Sequence, residues 1–61
     1  MPLIKIDMWE GRDEKIKEEL IKRVTDAVVE ALKCPPDAVT IIITDVPKIN
    51  WATGGIPSSK M

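Results

Sequence analysis

The run Val39-Thr40-Ile41-Ile42-Ile43 is β-branched at every position and carries apolar groups toward both of its sides. Branching at Cβ favours extended backbone, and a strand without alternation is one meant to be covered on both faces. The chain around it has 61 residues, enough for a single domain spanning 1–61 and no more. A domain of that size buries only about 60% of the surface its unfolded chain exposes. Something must reinforce it. Cys34 is the sole cysteine and histidine is absent, which excludes a disulfide and a structural zinc site alike. Association with further copies of the chain is what remains, because one core this small rarely supplies more than ~3–5 kcal/mol.

The rest of the pattern supplies one helix and one more strand. From Leu3 to Trp9 the residues alternate, with Ile4, Ile6 and Met8 on one face and Leu3, Lys5, Asp7 and Trp9 on the other; period two predicts a strand. Glu10-Gly11-Arg12 breaks the alternation, and Asp13 has the chemistry of a helix N-cap. Ile16, Leu20, Val24, Ala27, Val28, Ala31 and Leu32 then fall on one helical stripe, widened by Ile21. Opposite it, Glu18 with Lys22 and Glu19 with Arg23 have the spacing of acid-first ion pairs. Pro35-Pro36 ends the helix near Lys33. The second strand is expected over 38–44, closed off by Val46-Pro47. Gly54-Gly55 supports a tight turn and a short C-terminal hairpin. The fold class is therefore α/β, a single βαβ unit with parallel strands. One helix covers one face of such a sheet, so the other face calls for a partner subunit.

Charge and hydropathy narrow the partners. Nine basic and ten acidic residues give a formal net charge of −1, and no basic stripe for nucleic acid emerges. No apolar run reaches the ~20 residues of a membrane span, and Lys5 and Asp7 interrupt what a signal peptide would need. A cytoplasmic protein is expected.

Without histidine there is no Ser-His-Asp triad, no Cys-His pair and no imidazole-held metal. Cys34, beside two prolines and without a base in sequence, reads as a small packed residue. Carboxylates are numerous, but most belong to the helix's polar face. Gly54-Gly55 alone is no phosphate loop. Pro2 is left. Initiator methionine is normally removed before a small residue such as proline, and the new terminus would be a secondary amine. An ordinary α-amino group titrates near pH ~8; an apolar site and a neighbouring guanidinium both lower that, toward the range general acid–base catalysis uses. Arg12 is suited to hold a substrate carboxylate through paired hydrogen bonds. Each residue also has a plainer reading: a proline that only permits Met1 removal, a solvated arginine, and a Trp51 that serves core or interface.

Taken together, Met1-Pro2, the spacing to Glu10-Gly11-Arg12, the single helix, the 40–44 strand and the Trp51…Gly54-Gly55 tail resemble the 4-oxalocrotonate tautomerases, over nearly the whole chain and without a gap. The resemblance implies a βαβ protomer assembled as a homohexamer, a trimer of dimers, whose sites draw on neighbouring chains. It implies a cofactor-independent isomerase that ketonises or isomerises enol or unsaturated 2-oxo acids. Pro2 would be the general acid/base, Arg12 the carboxylate-binding and electron-withdrawing arginine, and Trp51 an aromatic wall of the substrate site.

In the best-known members the second strand adds another arginine that contacts the 2-oxygen and the adjacent carboxylate. Thr40 stands there in this chain. A hydroxyl brings no positive charge to a developing enolate, and loss of such a donor costs about 10²–10³ in rate. That shifts the expected substrate from a 2-hydroxymuconate-like diacid toward a monoacid or a phenylenolpyruvate-like aryl enol, with Lys48 as a substitute if the loop after the second strand folds inward. Two other readings stay open on sequence: a dehalogenase or decarboxylase using Pro2, for which no water-activating carboxylate stands in an evident place, and a non-catalytic oligomeric scaffold.

Overall fold

The computed structural model describes residues 1–60. Strand β1 spans Leu3–Trp9, helix α1 Glu14–Leu32 and strand β2 Thr40–Val46; two short strands, β3 (Ala52–Thr53) and β4 (Ile56–Pro57), complete the chain, with 3₁₀ turns at Pro36–Ala38, Lys48–Asn50 and Ser58–Lys60. β1 and β2 pair in parallel with Leu3 opposite Thr40 and Trp9 opposite Val46. The expected βαβ unit is what forms.

Local chemistry sets the boundaries of α1. The Asp13 carboxylate accepts the Ile16 N–H at 2.9 Å, satisfying one of the donors that a helix start leaves orphaned. At the other end Lys33 turns left-handed, φ 58°, and its N–H reaches the Val29 carbonyl. Pro35 and Pro36 follow at once. The structure shifts the second strand by two residues at each end. Pro36 opens a 3₁₀ turn in which the Ala38 and Val39 N–H groups bond the carbonyls of Pro35 and Pro36 at 3.1 Å, so Ala38 has no free donor for a ladder. Asp45 and Val46 stay in the strand because Met8 and Trp9 are there to pair with them.

Gly54 and Gly55 join β3 to the antiparallel β4 with φ of +63° and +81°. Positive φ at both central residues is the demand of the two-residue hairpin turn whose twist matches its strands. The Ser58 N–H then returns to the Trp51 carbonyl at 2.7 Å, and Ser58 is buried.

On the helix, Glu19 and Arg23 pair as expected, but Lys22 binds Asp26 rather than Glu18. The hydrogen bond from Lys22 to Asp26, then the carboxylate's charge, raises the pKa of that ammonium. Lys17 joins Asp45 and so ties α1 to β2.

What the protomer does not build is a closed core. Ile4, Ile6 and Met8 of β1 and Ile41 and Ile43 of β2 are half-buried, and so are Leu20, Val24 and Val28 of α1. No apolar side chain among the described residues is fully buried. The helical stripe is only partly covered: Ile16 and Leu32 keep 52% and 61% of their surface exposed. Two strands about 4.8 Å apart are too narrow a platform for a stripe on a helix ~10 Å wide. On the outer face Leu3 and Ile42 stand open. The radius of gyration is 14.4 Å, with extents of 42 × 24 × 13 Å; a compact domain of this length has a radius near ~10.5 Å. The chain is a slab one helix and one sheet thick.

Candidate active site

Pro2 lies immediately before β1, half-buried, and its carbonyl accepts the Thr40 N–H at 3.1 Å. That bond continues the parallel ladder by one step and fixes Pro2 at the end of the sheet where both strands begin. Thr40, the position where the resemblance leads one to expect a guanidinium, is in register with Leu3, one residue on from Pro2, and brings a neutral hydroxyl.

Arg12 lies at the other end. β1 runs seven residues to Trp9, roughly 23 Å at ~3.3 Å per residue, and Arg12 follows in the turn into α1. Gly11, at φ +114°, makes that turn, a conformation side-chain-bearing residues rarely adopt. The Arg12 Nη1 donates to the Trp9 carbonyl at 3.3 Å, leaving the rest of its fork free. The two residues expected to act together are thus separated by the length of the sheet within one chain.

Trp51 joins the Arg12 end. The 3₁₀ turn at Lys48–Asn50 swings the chain back, and the Trp51 N–H bonds the Lys48 carbonyl at 3.2 Å. Its indole meets that of Trp9 edge to face, with ring centroids 6.2 Å apart and planes at 74°. This is a favoured aromatic geometry. Lys48 sits over the Trp9 ring, its Nζ 4.8 Å from the centroid, within cation–π range. Lys48 does fold inward, but toward Trp9 and away from Thr40.

Arg12, Trp9, Trp51 and Lys48 therefore form one cluster of two cations and two indoles. Trp9 is the member that the sequence reading did not assign to the site, and Lys48, expected there only as a substitute for the arginine missing at Thr40, joins the opposite end instead. Trp9 reads from sequence only as an outer-face residue of β1; its place directly before Glu10-Gly11-Arg12 is the signal that ties it to the arginine. Among the described residues, neither Arg12 nor Lys48 takes part in an ion pair; the nearby Asp45 is engaged by Lys17. The described residues of a single chain enclose no pocket.

Comparison with known proteins gives a consistent answer. The family model for tautomerase enzymes matches residues 2–61. The 2-hydroxymuconate tautomerase of Comamonas testosteroni is 43% identical over 61 residues, covering 100% of this chain and 97% of that one. Among solved structures, a 4-oxalocrotonate tautomerase isozyme of Methylibium petroleiphilum superposes with a TM-score of 0.91 at 41% identity, over 95% of this chain and 94% of that one. A heterohexamer 4-oxalocrotonate tautomerase from Chloroflexus aurantiacus does so with a TM-score of 0.95 at 36% identity, over 100% and 98%.

Proposed function

Because the chain belongs to the tautomerase family and is accordingly an isomerase, we propose that the amine of Pro2, freed by removal of Met1, is its acid–base group. The substrates are enol or unsaturated 2-oxo acids, 2-hydroxymuconate-like or phenylenolpyruvate-like, and the reaction uses no cofactor. Copies of the chain assemble, as a homohexamer, so that Pro2 of one copy meets Arg12 and Trp51 of another. The observation that carries this reading is the separation of Pro2 from Arg12 by the length of β1. No bending of one protomer closes that gap, whereas the exposed Leu3, Ile42 and Leu32 are the apolar surface that association would cover.

In the proposed step the Pro2 nitrogen takes the proton from the enol hydroxyl. The electron pair of the C=C bond moves to the carbon that is to be protonated, and Pro2 returns a proton there. One O–H bond is broken and one C–H bond is made, with no change in oxidation state. Arg12 anchors a carboxylate by paired, charge-assisted hydrogen bonds. The Trp51 indole excludes water from the amine, which keeps the neutral base populated near neutral pH. Thr40 offers only a hydroxyl to the developing oxyanion, so this enzyme works with less charge stabilisation beside Pro2. The proposed setting is cytoplasmic, with neither nucleic acid nor membrane as partner.

Protein shown by intact mass to lack Met1 should ketonise an enol acid, followed by ultraviolet absorbance. Protein that retains Met1 should lose about 10²–10⁴-fold in rate, the usual worth of general acid–base catalysis. Equal rates for the two forms would sink the assignment of Pro2.

A further inference from the structure

Building on the reading of Arg12 as a carboxylate anchor, we propose that Lys48 is a second anion-binding residue and that the two cations hold the substrate's distal carboxylate between them. The charge missing beside Pro2 reappears at the far end of the sheet. Three observations carry this. Arg12 and Lys48 both lean on Trp9, one through its carbonyl at 3.3 Å and one through its ring at 4.8 Å. Neither takes part in an ion pair among the described residues, and Asp45 is occupied by Lys17. The indoles of Trp9 and Trp51 meet edge to face, and Lys48 lies over the first of them; an anion held against such an apolar surface is less screened than one in open water.

Lysines elsewhere do not share these features. Lys15 and Lys33 are exposed on α1 and at its end, with no indole beneath them. Lys48 is held by the Trp9 ring, so part of the entropy of fixing a long side chain is already spent before a ligand arrives. Trp9 is the positioning residue of the pair. A diacid therefore regains the advantage that Thr40 takes away, and the preference is set by the end remote from the reacting atoms.

The test is a binding titration, which needs no turnover. The assembled protein is titrated with 2-oxoadipate and with 2-oxohexanoate, matched in chain length and differing by one carboxylate. The readout is tryptophan fluorescence, for which Trp9 and Trp51 are the chain's 2 reporters. The diacid should bind about tenfold more tightly. Lys48→Met should erase most of that preference and leave 2-oxohexanoate within about twofold, while Lys48→Arg, which keeps charge and stacking, should retain it. Equal binding of the two acids by the wild type overturns the proposal. So does an equal loss for both acids in Lys48→Met, which would mark a purely structural lysine. Elution of each variant at the wild-type volume guards against misassembly. A diacid preference in protein without enol-ketonising activity would leave Lys48 standing and Pro2 refuted; activity without the preference would do the reverse.

Discussion

At one end of the parallel pair, Pro2 is held by a ladder hydrogen bond to its carbonyl and stands beside a neutral Thr40. At the other end, Trp9 gathers Arg12, Lys48 and Trp51 into a charged, aromatic cluster. On the proposed function the first end supplies the acid–base group and the second the groups that bind a carboxylate, so neither would be a site alone. A parallel sheet forces this division, since equivalent ends of its strands stay together while the two ends lie a strand's length apart. Under the proposed function, catalysis then depends on a contact between copies that turns the two ends toward each other.

The largest effect should come from separating the ends genetically. Pro2→Leu removes the proline and, being bulky, retains Met1; it should lose about 10²–10⁴-fold in activity. Arg12→Ala should lose roughly 10²-fold in kcat/KM. Co-expressed, the two inactive chains should recover up to about a quarter of wild-type activity, because random mixing in a symmetric assembly gives that share of sites both wild-type ends. No recovery would mean that both ends of a site come from the same chain, and the comparison would fail.

A smaller effect tests what brings the ends together. Ile42 lies on the outer face midway along β2, opposite Lys5, and is 44% exposed in the protomer. Ile42→Asp gives Lys5 a carboxylate neighbour, so the sheet itself tolerates it. In an assembled face the same charge would be desolvated. The variant should sediment as a smaller species and lose activity even though Pro2 and Arg12 are intact. Unchanged size would show that the contact uses some other surface.

How much of this was open to a reader of the sequence divides along the same line. The Leu3–Trp9 strand and the Asp13 cap were legible because alternation and capping are local. The Ala38 boundary was not, because two prolines permit a 3₁₀ turn as readily as an extended entry. Lys22 could choose Glu18 or Asp26, both four residues away, and spacing does not decide between them. Pro2, Arg12 and Trp51 were named from the chain, yet their distribution over two ends follows from strand direction and length and not from any motif. Trp9 and Lys48 meet across 39 positions of sequence, and only the 3₁₀ turn after Pro47 brings them together. No periodicity carries that information.

The smallest effect separates the ends most cleanly. Asp13 caps α1 directly after Arg12, and its bond to the Ile16 N–H fixes where the helix begins. Asp13→Ala should destabilise the fold by about 1 kcal/mol, as loss of an N-cap usually does. The turn that presents Arg12 would fray with it, so a modest rise in KM for a carboxylate substrate is expected. Pro2 lies at the opposite end of β1 and is held by Thr40, not by the helix start. The pH dependence of kcat, which reports the titrating group in the bound complex, should therefore stay where it is in the wild type. Should KM hold steady while the pH profile moves, then the cap would be acting on the proton-transfer end, and the division of labour argued from the sheet would be wrong.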